Sequence, residues 1–250
     1  MSTFNPEFSR NLDRVFSIPK EKVDSLVFRS FKAVDDPKSA RAFKEGHAAV
    51  IESFGFVLSS VSQPWETHEN TYVIIIESED GKKVYGGARI QLYDDKLPLP
   101  VVSAIDEEAP EIVSFIKGKT PYKFAELCGL WNSISAAGLG IGSVYAIRSA
   151  VALAGMIGVE KMIALCSVHT FRIAHRYGFD LVKEVGQNGA INYAGAKQIA
   201  KLTQQSDILN LPNSDIKERS IITAMRSNPK QVIIDQTRHE SISITIDLST

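Results

Sequence analysis

The stretch that decides the fold is Ala136-Ala137-Gly138-Leu139-Gly140-Ile141-Gly142-Ser143, AAGLGIGS, which lies between two apolar segments. Before it, Phe124–Trp131 reads as a β-strand, and after it a helical pattern runs from about Ser143 to Met156. Because glycine has no side chain, the three alternating glycines let the backbone come close to a ligand or to a neighbouring element. The loop therefore predicts either a binding site at the start of a helix or a tight turn.

Three phosphate-binding designs compete for this loop. A P-loop needs a Lys after its last glycine, whereas Ser143 and Val144 follow Gly142 here. A dinucleotide-binding loop needs the spacing G-x-G-x-x-G and an acidic residue after the next strand, which here ends at Cys166-Ser167. The third design holds a pyrophosphate on the N–H groups at a helix N-terminus, where the helix dipole favours an anion. This design stays open beside a tight turn without a ligand.

The segments around the loop predict an α/β unit. Upstream, Asp80-Gly81 separates two strand patterns, Thr71–Glu77 and Val84–Tyr93, as in a hairpin, and Gly86-Gly87 suggests a bulge or a close backbone approach. Downstream, strands are expected at Lys161–Cys166 and from Leu181-Val182, on either side of a helix at His169–Tyr177. The order strand, loop, helix, strand implies at least one parallel pair with a right-handed crossover.

The two ends of the chain are less regular. Lys20–Phe31 and Pro37–Phe54 have apolar residues at helical spacing, and Asp94–Asp106 reads as an irregular connection. In the last part, a helix is expected at Asn213–Met225 and a half-buried strand at Ser241–Ser249.

Composition bounds the class of protein. The chain has 250 residues, 44% of them hydrophobic, with a formal net charge of −1, which favours a globular protein and gives no basic field for nucleic acid. Cys128 and Cys166 lie in apolar runs and are expected as core thiols, and no ligand spacing supports a metal. The N-terminus lacks a signal-peptide pattern, and the helical run Val144–Val159 contains Arg148 and is too short for a membrane span. A cytoplasmic location is expected.

Two segments resemble the acyl-CoA N-acyltransferase superfamily known as GNAT. Gly138–Leu165, GLGIGSVYAIRSAVALAGMIGVEKMIAL, resembles the family's motif of a glycine loop, a helix and a strand. Ser167–Phe179, SVHTFRIAHRYGF, resembles its final motif, which ends in Gly-Phe. The resemblance covers roughly residues 57–185 and implies an α/β fold with a mixed, mostly antiparallel central sheet, a splayed parallel strand pair and flanking helices. We expect residues 1–56 as an N-terminal helical segment of the same domain, 57–186 as the acyltransferase core and 187–250 as an extension completing the sheet.

The resemblance also implies a coenzyme A site. The pantetheine arm would pair with the backbone of Leu130, Trp131 and Asn132. The pyrophosphate would lie on the amides of the loop, and Ser167 would either bind the pantetheine or cap the following helix. The loop residues implied in this role are Gly138, Leu139, Gly140, Ile141, Gly142 and Ser143.

Two positions depart from the family's pattern. Ala137 stands where an Arg or Gln usually contacts phosphate, and Ala174 stands where a Tyr usually acts as the general acid. Tyr177 lies three residues further on, and His175 follows the empty position, so both are candidates for proton transfer.

A narrower resemblance leads to the catalytic candidate. Phe124–Ser133, FAELCGLWNS, is similar to the strand of the autoinducer (acyl-homoserine lactone) synthases and N-acyl amino acid synthases, with Glu126 at the motif's Glu, Cys128 in place of Ser and Gly129 in place of Arg. A carboxylate in an apolar strand is costly unless it is used or paired, so Glu126 is either a general base or half of a buried salt bridge.

These observations predict a transfer of an acyl group from acyl-CoA to a small-molecule amine by direct attack in a ternary complex. An acyl-carrier protein is the alternative donor, and a catalytically degenerate acyl-CoA-binding module is the alternative function. No metal and no nucleic-acid partner are expected, and association into a homodimer stays open.

Overall fold

The structure is a computed structural model that describes residues 23–53, 55, 63–119, 122–137, 139–193, 198–236 and 241–250. Strands and helices alternate irregularly along the chain, with a short 3-10 turn at Trp65–Thr67 after the first helix. The strands are β1 (Ser25–Lys32), β2 (Thr71–Glu77), β3 (Val84–Leu92), β4 (Phe124–Asn132), β5 (Lys161–Ser167), β6 (Asp180–Leu181), β7 (Ala190–Tyr193), β8 (Gln198–Gln205), β9 (Lys230–Gln236) and β10 (Ser241–Asp247). The helices are α1 (Pro37–Ser53), α2 (Pro100–Ile105), α3 (Glu111–Lys117), α4 (Ile134–Ala137), α5 (Gly142–Met156), α6 (Val168–Arg176) and α7 (Ile216–Ser227).

All strands belong to one sheet, in the order β6-β8-β5-β4-β3-β2-β1-β10-β9, and β7 also pairs with β8. Its pairs are antiparallel except for β1 with β10 and β4 with β5, which are parallel. The structure confirms the predicted mixed, mostly antiparallel sheet and the β2–β3 hairpin. It also confirms the close approach at the paired glycines, because a Cβ at Gly87 would lie 2.0 Å from the carbonyl oxygen of Ile74.

The parallel pair opens after three residues. Phe124–Glu126 of β4 pair with Lys161–Ile163 of β5, and the ladder ends there. Beyond Glu126, β4 contains an irregularity opposite Gly87 and Arg89, and Gly129 within it has a φ of +58°. This positive φ favours glycine. The bulge turns the end of β4 away from β5, so the two strands form the predicted splayed pair.

Helices cover both faces of the sheet. On one face, α5 packs across β1 to β4, and α7 packs on α5. On the other face, α1 packs against β2, β3 and β4. A first core cluster lies on the α5 side of the sheet and includes Ile74, Ile76 and Tyr145. A second core cluster lies on the α1 side and includes Val73, Ile75 and Phe43, so β2 is buried on both sides. The glycine loop and α5 therefore lie beside the end of β4, where the sheet splits.

One predicted helix is wrong. Lys20–Phe31 was expected to be helical, but the described part of this segment forms strand β1. Its apolar residues fit a period of two as well as a helical period, since Leu26 and Phe28 are buried on alternate positions. Pairing with β2 on one side and β10 on the other decides between the two, because such a ladder satisfies the backbone of the whole segment.

Two further segments differ from the sequence reading. Asp94–Asp106 contains helix α2, which begins at Pro100, a favoured first helical residue. Strands β8 and β9 were not predicted, because their polar sequences, QIAKLTQQ and KQVIIDQ, give a weak apolar alternation. Within the part of the chain that the structure describes, no helix has both the length and the apolar character of a membrane span.

Candidate active site

The splay between β4 and β5 opens into a cavity of about 320 Å³. It reaches both sides of the sheet, because residues of α1 and α2 line one part and residues of α5 and α6 line the other. Most of the wall is aliphatic, and the polar contributions come from a few side chains. The lining includes His47, Val101, Glu126, Cys128, Leu130, Ile147, Ala164, Cys166, Ser167, Thr170, Ala174, Phe179 and Tyr193.

Glu126 is the acidic side chain in this wall. It is 2% exposed, and its Oε2 accepts a hydrogen bond of 2.8 Å from the backbone N–H of Val101 at the start of α2. Burial raises the pKa of the Glu126 carboxyl to about 8, against the smaller opposing effects of the Val101 hydrogen bond and the charge of Arg89. Among the described residues, no Lys or Arg forms a salt bridge with Glu126. The cavity wall therefore contains an unpaired carboxyl group with a pKa of about 8.

A buried arginine lies behind this wall. Arg89 of β3 is 3% exposed and pairs in register with Cys128. Its Nε donates a hydrogen bond of 3.2 Å to the Cys128 sulfur, and its guanidinium lies 4.6 Å from the Trp65 ring centroid. Burial lowers the pKa of His47 to about 4, and the charge of Arg89 contributes to the same shift. His47 therefore lines the cavity as a neutral imidazole at physiological pH.

Sequence reasoning missed Arg89 and His47. Arg89 interrupts the apolar strand Val84–Leu92, which is the same signal that identified Glu126. His47 lies on α1, about 80 residues before Glu126, and the sequence contains no signal that would bring them together.

The carboxyl of Glu126 makes the stability of the protein depend on pH. Its pKa is about 8 when folded, against 4.5 for an ordinary glutamate. The folded state therefore binds more protons between these pH values, so its contribution is fully present below about pH 4.5 and is lost as the pH rises through about 8. We expect the free energy of unfolding to fall by roughly 3 kcal/mol from pH 5 to pH 8 because of this group.

Urea unfolding of the wild type and Glu126→Gln at both pH values measures this contribution. The free energy of unfolding of the wild type should fall relative to that of Glu126→Gln between pH 5 and pH 8, because the glutamine carries no charge at either pH. Parallel pH profiles of the two proteins would show that Glu126 titrates normally.

The glycine loop leads into α5 without a side-chain cap. Ile141 is the N-cap residue of α5, and no side chain of the described residues caps the first turn. Gly140 is exposed with a φ of +74°, and a Cβ there would meet no described atom within 4 Å. At Gly142, a Cβ would lie 2.2 Å from Oδ1 of Asn132. Gly142 thus serves close packing, whereas Gly140 serves backbone conformation and leaves open space in front of the helix.

The other loop residues have mixed environments. Ile141 is buried, Leu139 is partly buried against the first core cluster, and Ser143 is half-buried. Gly138, which the resemblance included in the phosphate site, lies outside the described residues.

The three residues at the end of β4 that the resemblance assigned to pantetheine lie in three different environments. Leu130 lines the cavity. Trp131 lies in the second core cluster against Phe43, outside the cavity lining. The Asn132 amide donates a hydrogen bond to Oγ of Ser143, which links the end of β4 to the first turn of α5. Backbone pairing with a ligand was the predicted role, and it stays a prediction.

The candidate residues on α6 and at its two ends do not lie at a common site. Ser167 lines the cavity and caps α6, its Oγ accepting a 3.2 Å hydrogen bond from the N–H of Thr170. His175 is exposed, 3.5 Å from Asp180, and Tyr177 is fully buried with its pKa raised to about 12, chiefly by burial. The structure thus brings Glu126 and Ser167 to the cavity, and places His175 and Tyr177 outside its lining.

Ala174 lines the cavity, at the position where the resemblance expects a tyrosine acid. Among the described residues, no group of three or more His, Cys, Asp or Glu side chains is placed to hold a metal ion.

Comparison with known proteins shows similarity in three dimensions. No protein-family profile and no curated protein sequence matches the chain. FeeM, an N-acyl amino acid synthase from uncultured soil microbes, superposes with a TM-score of 0.57 at 12% identity over 78% of this chain and 97% of that one. An acyl-CoA N-acyltransferase from Pseudomonas aeruginosa superposes with a TM-score of 0.50 at 12% identity, over 72% and 99%.

The acyl-homoserine lactone synthases are further structural neighbours. BjaI, a CoA-dependent synthase solved with SAM and isopentyl-CoA, superposes with a TM-score of 0.48 at 13% identity, over 86% of this chain and 95% of that one. The mixed, mostly antiparallel sheet, the splayed pair and the helix after the glycine loop agree with the fold that the sequence motifs predict. The chain therefore has the GNAT-like acyltransferase fold that it shares with FeeM and with the Pseudomonas aeruginosa N-acyltransferase.

Proposed function

We propose that the protein transfers an acyl group from acyl-CoA to a small-molecule amine, by direct attack of the amine in a ternary complex. The observation that carries this proposal is the cavity between the splayed strands, which has a largely aliphatic wall and the carboxyl of Glu126 in it. An acyl chain needs an apolar wall, and an attacking amine needs a base within reach. This cavity combines an aliphatic wall with a carboxyl group that can serve as such a base.

The residues of the chain fit coenzyme A at the neighbouring helix. The first turn of α5 has no side-chain cap from the described residues, and the space in front of Gly140 is open. Backbone N–H groups at a helix N-terminus attract a pyrophosphate without requiring a basic side chain. The pantetheine would then run along β4 past Leu130 toward the splay. The same geometry suits a phosphopantetheine arm on an acyl-carrier protein, which is the alternative donor.

The chemistry is aminolysis of a thioester. The amine nitrogen attacks the carbonyl carbon, the new C–N bond forms, the C–S bond breaks, and the thiol leaves with a proton. In this proposal the ionised Glu126 takes the proton that the amine loses. The departing thiolate then takes a proton from the Glu126 carboxyl, directly or through water, which returns Glu126 to its ionised form. Its pKa of about 8 suits this role, because general-base catalysis is most effective when the pKa of the base is near the working pH.

The test is an assay of thiol release with acetyl-, butyryl-, octanoyl- and palmitoyl-CoA, each combined with a panel of alkyl amines, aryl amines and amino acids. Mass spectrometry of the acylated amine identifies the product. We expect thiol release that depends on one class of amine.

A second candidate, an acyl-CoA-binding module without turnover, is favoured by one observation. Ala174 lines the cavity without a hydroxyl, and Tyr177 lies outside that lining. Saturable acyl-CoA binding without thiol release on any amine would favour this second candidate.

We expect Gly140→Asp to weaken acyl-CoA binding at least tenfold, because it places a carboxylate where the pyrophosphate would lie. Isothermal titration calorimetry measures the change. Gly81→Asp is the matched control, since Gly81 also has a positive φ of +66° and open space around its Cβ position, but lies in the β2–β3 turn. Equal binding of acyl-CoA by both variants would show that the loop is not part of the donor site.

A further inference from the structure

Strand β9 forms one end of the sheet. Its residues pair with β10 on one side, and no described strand pairs with its other edge. The strand is seven residues long and contains no proline or glycine. Its outward side chains include Val232, 65% exposed, and Ile234, 67% exposed. Natural edge strands are usually short or bulged, or carry charged groups that prevent pairing with another strand. On β9 such charges, Lys230 and the inward-facing Asp235, lie near the two ends, and the centre of the strand is aliphatic.

The sequence of β9 is nearly palindromic in character. The strand reads Lys230-Gln231-Val232-Ile233-Ile234-Asp235-Gln236. In both directions from Ile233, the first residue is aliphatic and the next two are polar or charged. We propose that a second copy of this chain binds here, with the two β9 strands antiparallel and Ile233 on the two-fold axis. Because a two-fold interface pairs the same patch with itself, a palindromic strand is the pattern it requires.

This register is self-complementary on both faces. On the outward face, Val232 lies opposite Ile234 of the partner subunit, and Lys230 lies opposite Gln236 of the partner subunit. On the other face, Ile233 lies opposite Ile233 of the partner subunit, and Gln231 lies opposite Asp235 of the partner subunit, so a neutral amide faces the carboxylate. Like charges are not opposed at any of these positions.

Neighbouring registers lack this match. Moving the two-fold axis to Val232 places Ile234 opposite the partner's Lys230, and moving it to Ile234 places Ile233 opposite the partner's Asp235. Both alternatives put an aliphatic side chain opposite a charged one, which gives up the apolar cross-strand contact. The axis at Ile233 is therefore the register that the strand supports.

Charges near this edge are held within each subunit. The Lys230 ammonium lies 3.2 Å from Asp247 of β10, and Asp235 accepts a 2.8 Å hydrogen bond from the Tyr145 hydroxyl. These contacts fix the edge side chains before association. A single strand pair with six aliphatic side chains, four of them on the outward face, is a small interface, so we expect a weak dimer with a dissociation constant of about 1 to 100 µM. This inference is independent of the proposed function.

The experiment is sedimentation velocity of the full chain from about 1 to 500 µM. We expect a concentration-dependent shift from monomer to dimer that the double variant Val232→Lys, Ile234→Lys abolishes. Ile216→Lys is the matched control, because Ile216 is an 80% exposed aliphatic residue of α7 and is not part of β9. A wild type that stays monomeric throughout, or equal dissociation in the control, would overturn the proposal.

A pair of charge variants tests the register. Gln236→Glu places an anion opposite the partner's Lys230 and should tighten the dimer, whereas Gln236→Lys places two cations opposite each other and should weaken it. Two symmetric pairs predict a change of about 2- to 30-fold in each direction. Both variants replace the side chain whose amide donates a hydrogen bond to Oγ of Ser241, so both change the same contact within the monomer. Shifts of equal size in the same direction would contradict this register.

Discussion

Replacing Glu126 with glutamine is expected to lower kcat/KM for acyl transfer by about 10²- to 10⁴-fold, the usual contribution of a general base. The amide cannot take a proton from the attacking amine. Its oxygen can still accept the hydrogen bond from Val101, so the site keeps its shape. The measurement is initial-rate thiol release with the best donor and acceptor pair. Glu107→Gln, an exposed glutamate on the segment between α2 and α3, is the control and should keep wild-type activity.

The pH profile separates catalysis from structure. If Glu126 is the base, kcat/KM of the wild type should rise as the pH increases through about 8, because only the ionised carboxylate accepts a proton. Glu126→Gln should lack this limb. Activity of the variant within about threefold of the wild type, or an unchanged pH limb, would remove Glu126 from the mechanism.

The second large effect concerns stability. Arg148 of α5 makes two hydrogen bonds to Glu218 of α7, at 2.7 and 3.1 Å, and Glu218 is fully buried. Arg176 of α6 also reaches Glu218, at 2.5 Å. We expect Arg148→Met to lower the free energy of unfolding by about 3 to 5 kcal/mol, because it leaves a buried carboxylate with one exposed cation as its remaining ion-pair partner.

Denaturant unfolding measures this loss. The double variant Arg148→Met, Glu218→Leu should be more stable than Arg148→Met alone, since removing both charges removes the uncompensated carboxylate. Arg172→Met, which changes an exposed arginine on α6, is the control and should change stability by less than about 1 kcal/mol. Additive losses in the double variant would show that the pair does not act as a unit.

Local patterns predicted the centre of the fold well. The β2–β3 hairpin, β4, the helix after the glycine loop, β5 and α6 follow from turn residues, periodicity and the glycines at helix ends. The resemblance to GNAT motifs then arranged these elements into a splayed sheet. Lys20–Phe31 failed because its period fits a helix or a strand, and the two strands that pair with β1 come from positions about 50 and 220 residues away in the sequence.

The site was predictable only where a single residue breaks an apolar pattern. Glu126 does so within β4, and Arg89 does so within β3 but was overlooked. Tyr177 and His175 were chosen from their distance along a helix to Ala174. The structure places both outside the cavity lining, because the Tyr177 side chain is buried in the core after the end of α6 and the His175 side chain is exposed to solvent. The contributions of α1 and α2 to the cavity arise from packing across the sheet, which sequence spacing does not encode.

The most direct test of the central claim is a calorimetric titration of the wild-type chain with coenzyme A and with acyl-CoAs from two to sixteen carbons. The account predicts saturable one-to-one binding, with affinity that increases from coenzyme A to the acyl chain that fills the apolar cavity, and with a negative heat-capacity change from apolar burial. Absence of binding by coenzyme A and by every acyl-CoA up to about 1 mM would contradict it.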